Sequence, residues 1–465
     1  MKIIISQKEE KNNPIIESCS EFYKRYKISK ILRQSGANKK KGIVVSIVFL
    51  FLLGLVFKGK KLNTVNRHYN EEMPFGKDVA YRLIERGDIN WERIVFLTAN
   101  NVIPEIRRLT SEERKHAIVI DDTPQYRDRS KKVEMLARCH DHSKKGKSQY
   151  YKGHNLLTMG WTDGATFIPV DYRVLSASED KNLLYGSDVA EDKRTLATKR
   201  RKDARSGKPA LVLEMLRNVK GSEADAKYVM YDTWFSSPSA IIPISQMGYK
   251  VVARLKNNST KYLCNGEMLT LKEIYQQNRK RPGKSKYLLS VNIEVVHKDF
   301  DDSVSAKIVF VRNKNKRNEW IALISTDLSL NEEDIIALYG KRWNIEVFFK
   351  VCKTVLNLGK EFACRSFDST CALVAIVFIR YMKLAVDNRE NRDDRSLGAL
   401  FFSCCKELDD ISFAHSLALL LAAFANFMHD NFSLSKSDIN NAFDSFFHSL
   451  PPFIRDKLAF SSCET

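Results

Sequence analysis

The chain has 465 residues, with 76 Lys and Arg against 56 Asp and Glu, a net charge of +20 and a hydrophobic fraction of 44%. Its apolar content excludes an intrinsically disordered chain, and its length, at roughly 100–200 residues per domain, excludes a small disulfide-stapled scaffold. The charge excess calls for a polyanionic partner, nucleic acid or an acidic membrane surface, because so basic a chain attracts phosphate and otherwise repels itself.

The nine cysteines are scattered and form no CxxC pair, which argues against a zinc ribbon and for free thiols of a reducing, cytoplasmic compartment. Cys139-His140-Asp141-His142 has metal-ligating atoms but no second half at ligand spacing, and reads as a polar turn.

In chain order, residues 1–112 read as a basic helical module with helices over Cys19 to Leu32, Gly42 to Phe57 and Asp78 to Ala99. The uncharged run Gly42 to Phe57 is flanked by lysines like a membrane span. It is short of the about 20 apolar residues a span needs and reads as a buried helix. Residues 113–247 change in texture. His116 to Ile120 is a short strand that ends in Asp121-Asp122-Thr123-Pro124. Strands over Asn155 to Trp161 and Thr166 to Val174 are joined through Asp163-Gly164, a hairpin signal. A basic helix over Arg194 to Val219, broken at Ser206 to Pro209, leads to the strand Lys227 to Tyr231, which ends at Asp232. Strands, helix and strand predict an α/β core. Residues 248–328 read as a strand-rich insertion with basic loops at Arg279 to Arg281 and Lys314 to Arg317, residues 329–365 return to the core with a helix over Asn331 to Leu356, and residues 366–465 are again helical.

The helix over Asn331 to Leu356 is the most informative stretch. At about 100° per residue, Tyr339, Arg342, Glu346, Lys350 and Lys353 share one face, while Leu338, Ile345, Phe348, Phe349, Cys352 and Leu356 form a separate apolar stripe. A carboxylate among cations is an ordinary helical pairing by itself, worth about 0.2–0.5 kcal/mol per pair. Carboxylates at two strand ends, Asp121-Asp122 and Asp232, with a third on a helix make a hard-oxygen site suited to Mg²⁺.

Tyr339, Arg342, Glu346 and Lys353 fit the pattern Y-x2-R-x3-E-x6-K, and on them the chain resembles the insertion-sequence transposases of the IS-four type. The resemblance extends over His116 to Lys360, with Ile120-Asp121-Asp122-Thr123 similar to the family's first-aspartate strand and Tyr231-Asp232-Thr233 to its second. It implies an RNase H-like mixed sheet with a strand-rich insertion, flanked by helical regions. It also implies a catalytic, metal-holding triad of Asp122, Asp232 and Glu346. Asp122 is preferred because the family's aspartate directly precedes a threonine; Asp121 is the alternative, since adjacent strand residues face opposite sides. The implied activity is cleavage of element ends and strand transfer into target DNA with two Mg²⁺ ions, for which Mn²⁺ can substitute. Double-stranded DNA, as terminal inverted repeats and target, is the implied partner, and a homodimer without membrane the implied assembly. Tyr339, Arg342, Lys350 and Lys353 are implied contacts to DNA phosphates, and Trp343 or Trp234 a stacking surface for a flipped base. Lys152 with His154 and the basic run Lys199 to Lys202 are weaker candidates for tracking the backbone. The alternatives are an RNase H-like nuclease without strand transfer and a catalytically silent DNA-binding derivative.

Overall fold

The computed structural model describes residues 14–390 apart from 40, 69–72, 77, 112–113, 142–148, 188–191, 193, 282–284, 314–318 and 361–363; beyond 390 it describes Phe424, Phe427, Met428 and 435–449. The basic loop Lys314 to Arg317, His142 and most of the C-terminal helical region lie outside the described residues.

The chain is mixed α/β. Helices α1 (Pro14–Arg25), α2 (Ile28–Gln34), α3 (Val45–Gly54), α4 (Leu62–His68), α5 (Asp78–Ile84) and α6 (Trp91–Arg108) precede the first strand. The break between α5 and α6 is set by Asn90, whose side chain accepts from Arg93 N at 2.9 Å and caps α6. Strands β1 (Ala117–Tyr126), β2 (Leu136–His140), β3 (Tyr150–Thr162), β4 (Phe167–Leu175) and β5 (Leu183–Tyr185) are followed by α7 (Leu196–Ala204), α8 (Lys208–Val219), β6 (Tyr228–Tyr231), α9 (Pro238–Gln246) and β7 (Lys250–Arg254). Then come β8 (Lys261–Cys264), β9 (Glu267–Thr270), α10 (Leu271–Gln277), β10 (Leu289–Val295), β11 (Val304–Arg312) and β12 (Trp320–Ser325). Helices α11 (Glu332–Gly340), α12 (Trp343–Thr354), α13 (Phe367–Glu390) and α14 (Lys436–Ser449) complete the chain.

All twelve strands join one sheet in the order β5-β2-β3-β1-β6-β7-β12-β11-β10-β8-β9, with β4 also on β3. β1, β6 and β7 are parallel, and β3 is antiparallel to both β1 and β4. The hairpin at Asp163-Gly164 forms as expected: Gly164 takes φ +94° and the Asp163 carboxylate accepts from Ala165 N and Thr166 N. The strand-rich stretch differs from the expectation of a separate insertion. β7 is a core strand, and β12 pairs with it antiparallel, so the later strands extend the same sheet.

The first strand also differs. β1 does not stop at its carboxylates but runs on to Tyr126 along β3, whereas its parallel pairing to β6 ends at Ile120↔Tyr231. β6 is only four residues long and turns into a short 3-10 turn over Thr233–Phe235. Asp121 and Asp232 therefore stand just past the last paired residues of two parallel strands, at their carboxyl ends, where α/β sheets place their ligands.

Helices α12 and α13 pack together on β4 through Phe348, Phe378, Tyr381, Phe167 and Tyr172. β4 is buried along its whole length, as a strand covered on both faces must be. The apolar run of α3 is a buried helix: Val48, Phe49, Leu52 and Leu53 are in the core, and Arg380 of α13 donates to the carbonyls of Leu52 and Leu53 at its end. Among the described residues only α13 is long and apolar enough to cross a membrane, and that stretch is buried throughout.

The basic run in α7 is corrected by its surroundings. Arg200 and Arg201 are interior. Arg200 pairs with Glu92 and Asp368 and donates to Ile89 O at 2.7 Å, while Arg201 pairs with Glu134 and Asp368, the latter at 2.8 Å. Glu134 also accepts from Phe367 N. These charges bind α7 to the starts of α6 and α13, so the N-terminal helices are continuous with the core. Lys199 is held by Asp203 and Glu214; neither arginine is available to DNA.

Candidate active site

The helix expected over Asn331 to Leu356 is two helices. α11 starts at Asn331, whose side chain caps Asp334 N, with Glu332, Glu333 and Asp334 in the first turn where the helix dipole favours them. At Gly340 to Arg342 the ladder changes to i→i+3 bonds, Lys341 N to Leu338 O and Arg342 N to Tyr339 O, before α12 begins. The predicted apolar stripe is buried on both sides of this joint, and Tyr339, Arg342 and Glu346 stay together.

Around that joint three carboxylates gather. Arg342 donates through Nη1 to Asp121 Oδ2 at 3.2 Å and through Nη2 to Glu346 Oε1. Asp232 caps the 3-10 turn, its Oδ1 accepting from Thr233 N at 2.7 Å, and the Tyr339 hydroxyl lies 3.5 Å from the same oxygen. Asp121 feels the charge of Asp232 as well as that of Arg342. Asp121 and Glu346 thus share one guanidinium, on a side chain that is 12% exposed, and Asp232 joins them through the Tyr339 hydroxyl beside it.

Asp122 is corrected by placement. It points to the opposite face of β1, where its Oδ2 accepts from Asn155 Nδ2 at 2.6 Å and from Lys208 Nζ, at the start of α8, at 2.9 Å. The reason is the strand alternation itself: Arg342 and Lys353 reach the face of Asp121 and Thr123, and Asn155 and Lys208 the face of Asp122. Asn155 and Lys208, which hold Asp122 away from the cluster, have no sequence signal that marks them.

Burial pushes the Asp121 carboxyl up to about 7; Arg342 opposes this, while Asp122 and Asp232 add to it. Burial works against the Arg342 charge too, but Tyr339, Asp121 and Asp232 outweigh it and raise its pKa. Lys353 reaches along the Asp121 face of β1 and donates to Thr123 Oγ1 at 2.5 Å; burial lowers its pKa against the pull of Asp141.

Trp343 is 59% and Val347 42% exposed, and Lys350 is exposed on the next turn, so a solvent-facing stripe of α12 adjoins Glu346. Trp234 lies in the turn directly after Asp232. The remaining candidates are elsewhere. Lys152 is on β3, its N–H bonded to Asp128 at 3.2 Å. His154 is fully buried against Phe367 with Nε2 3.2 Å from Glu134 O, and burial brings its pKa down to about 4. Among the described residues no bond links either to the carboxylate cluster. The Cys139-His140-Asp141 stretch ends β2, with Asp141 accepting from the Tyr126 hydroxyl at 2.8 Å.

A mixed α/β sheet with carboxylates gathered at the ends of its parallel strands is consistent with a DDE nuclease fold. Residues 48–317 match the family model described as DDE superfamily endonuclease, and the chain belongs to that family. The matched stretch holds Asp121, Asp122 and Asp232 and ends before the helix that carries Glu346. No curated protein matches the chain.

Proposed function

We propose that the protein is a transposase that cuts DNA ends and joins them to target DNA, with Asp121, Asp232 and Glu346 as its triad. The observation that carries this reading is that Arg342 bridges Asp121, near one strand end, to Glu346 on a helix, while Tyr339, one turn before Arg342, reaches Asp232 at the end of the neighbouring strand. The pairing order β4-β3-β1-β6-β7, with β3 antiparallel and β1, β6 and β7 parallel, supports an RNase H-like core. Tyr339, Arg342 and Glu346 meeting at that site support the IS-four subtype.

The donors suit Mg²⁺, since all are hard carboxylate oxygens. Among the described residues no group of three or more His, Cys, Asp or Glu side chains is placed to hold a metal ion as it stands, and Arg342 lies between two of the carboxylates instead. Asp121, Asp232 and Glu346 are the residues that would hold the ions. When bound, a pair of divalent ions supplies activation of water or a DNA 3′-hydroxyl and neutralisation of the leaving oxygen. The chain's own part is positioning: Thr233 N orients Asp232, Arg342 orients Glu346, and the exposed stripe Trp343, Val347 and Lys350 offers a stacking ring and a cation to DNA beside the reacting phosphate.

The N-terminal helices supply the longer-range attraction. Residues 14–68 hold twelve Lys and Arg but two acidic residues, half of the chain's net +20. Lys24, Lys27, Lys30 and Arg33 are exposed at three-residue spacing along α1 and α2. This lobe is the proposed holder of the terminal repeat in a dimeric complex.

The test is a joining assay. Purified protein, a pre-cleaved DNA end taken from the sequence flanking the gene and a supercoiled target are incubated with Mg²⁺ or Mn²⁺. A joined product is expected; cleavage of uncut ends with no joining in either metal would leave a nuclease, and neither reaction a DNA-binding derivative.

A further inference from the structure

Arg342 sits where a cation is needed, yet its seat is incomplete. Its two terminal nitrogens are spent on Asp121 and Glu346, its guanidinium lies 5.7 Å from the Tyr339 ring centre, and its Nε is buried with no acceptor. Two carboxylates bonded to one guanidinium, with Asp232 beside them at the Tyr339 hydroxyl, leave negative charge in surplus around Arg342. A buried N–H without a partner is unfavourable, so the arginine is held by charge rather than by a completed hydrogen-bond set. It also stands at the joint between α11 and α12, two residues after Gly340, at which an added Cβ would meet nothing within 4 Å. The backbone there is not locked by a continuous i→i+4 ladder.

We propose that Arg342 is the resident counter-cation of the carboxylate cluster and competes with divalent cations for it, so that loading the site requires the guanidinium to leave Asp121 and Glu346. This rests on the reading of Asp121, Asp232 and Glu346 as the metal-holding set. The pairing offsets part of the cluster's negative charge before metal arrives. It also sets a threshold concentration for loading, because each carboxylate bond to Arg342 must be given up. A positioning residue of this kind differs from a structural ion pair in one measurable respect: removing it should strengthen metal binding.

The experiment is Mn²⁺ titration of the full chain at pH 8 without DNA, followed by the electron paramagnetic resonance signal of free Mn²⁺, for wild type, Arg342→Gln and Arg342→Lys. Arg342→Gln is expected to bind Mn²⁺ about tenfold or more tightly than wild type, from the loss of one competing charge at contact distance. Arg342→Lys, which keeps the charge but not the two-pronged fit, should fall between them and serves in its place if the Gln variant does not fold by circular dichroism. Equal or weaker Mn²⁺ binding by a folded variant would overturn the role of Arg342 alone. No Mn²⁺ binding by any of the three would overturn the carboxylate reading and this inference with it.

Discussion

Asp121→Asn is expected to reduce DNA cleavage by at least ~10³-fold, whereas Asp122→Asn should cost no more than about threefold. The two residues are neighbours in one strand, and their fates differ because β1 turns Asp121 toward Arg342 and Glu346 and Asp122 toward Asn155 and Lys208. An amide at 121 keeps the shape of the side chain but supplies one neutral oxygen where a charged pair is needed to hold metal. An amide at 122 weakens a mostly buried pairing with Lys208 but removes no oxygen from the set around Arg342. Cleavage of a labelled element end over time, with both proteins at matched DNA occupancy, checks this. The reverse ranking would return the first triad position to Asp122. The same Asp121 variant has a second signature in the metal-free protein. Its carboxyl is raised from 3.8 to about 7, so the folded state holds a proton that the unfolded state releases over that interval. Stability from this group is therefore lost as pH rises from about 4 to about 7, by no more than about 4 kcal/mol. Asp121→Asn lacks that loss, so its unfolding midpoint in chelator should gain on wild type across this range and level off above it.

Asp368→Ala should destabilise the fold by about 3–5 kcal/mol, the cost of leaving buried charges without their partner. Asp368 is 4% exposed and receives one guanidinium nitrogen from Arg200 and another from Arg201, which are themselves 7% and 8% exposed. Glu92 remains to Arg200 and Glu134 to Arg201, so each arginine loses one of its two carboxylates. The effect is large because the network joins α7, α6 and α13, elements distant in sequence, rather than decorating a surface. Denaturant midpoints of Asp368→Ala, Arg201→Met and the double variant test it. The double variant should be less destabilised than the sum of the singles, since the Asp368–Arg201 pairing that each single variant breaks is lost only once. Additive losses would mean that Asp368 and Arg201 are not coupled.

Much of the face around Arg342 is legible in the sequence, and the reasons are local. Tyr339, Arg342 and Glu346 lie at helical spacing, and that spacing survives the 3-10 joint at Gly340 because three- and four-residue steps both keep a side chain on one face. Asp163-Gly164 announced its hairpin because few other pairs accept that backbone. Long-range choices were not legible. Ala117 to Ile120 are all buried, so the strand has no alternation from which to learn that Asp121 and Thr123 face Arg342 and Lys353. Arg200 and Arg201 read as a basic run because their partners, Glu92, Glu134 and Asp368, come from three distant segments. β7 read as part of an insertion because a short apolar strand does not reveal which neighbour it pairs with.

The central claim is that Asp121, Asp232 and Glu346 form one metal-holding set. Anomalous diffraction from crystals of the chain grown with Mn²⁺ tests it most directly. The predicted result is Mn²⁺ density bounded by the carboxylate oxygens of those three residues, with the Arg342 guanidinium withdrawn from Asp121 and Glu346. Density at Asp122 instead, or none at saturating Mn²⁺ with Arg342 still bridging the pair, would contradict it.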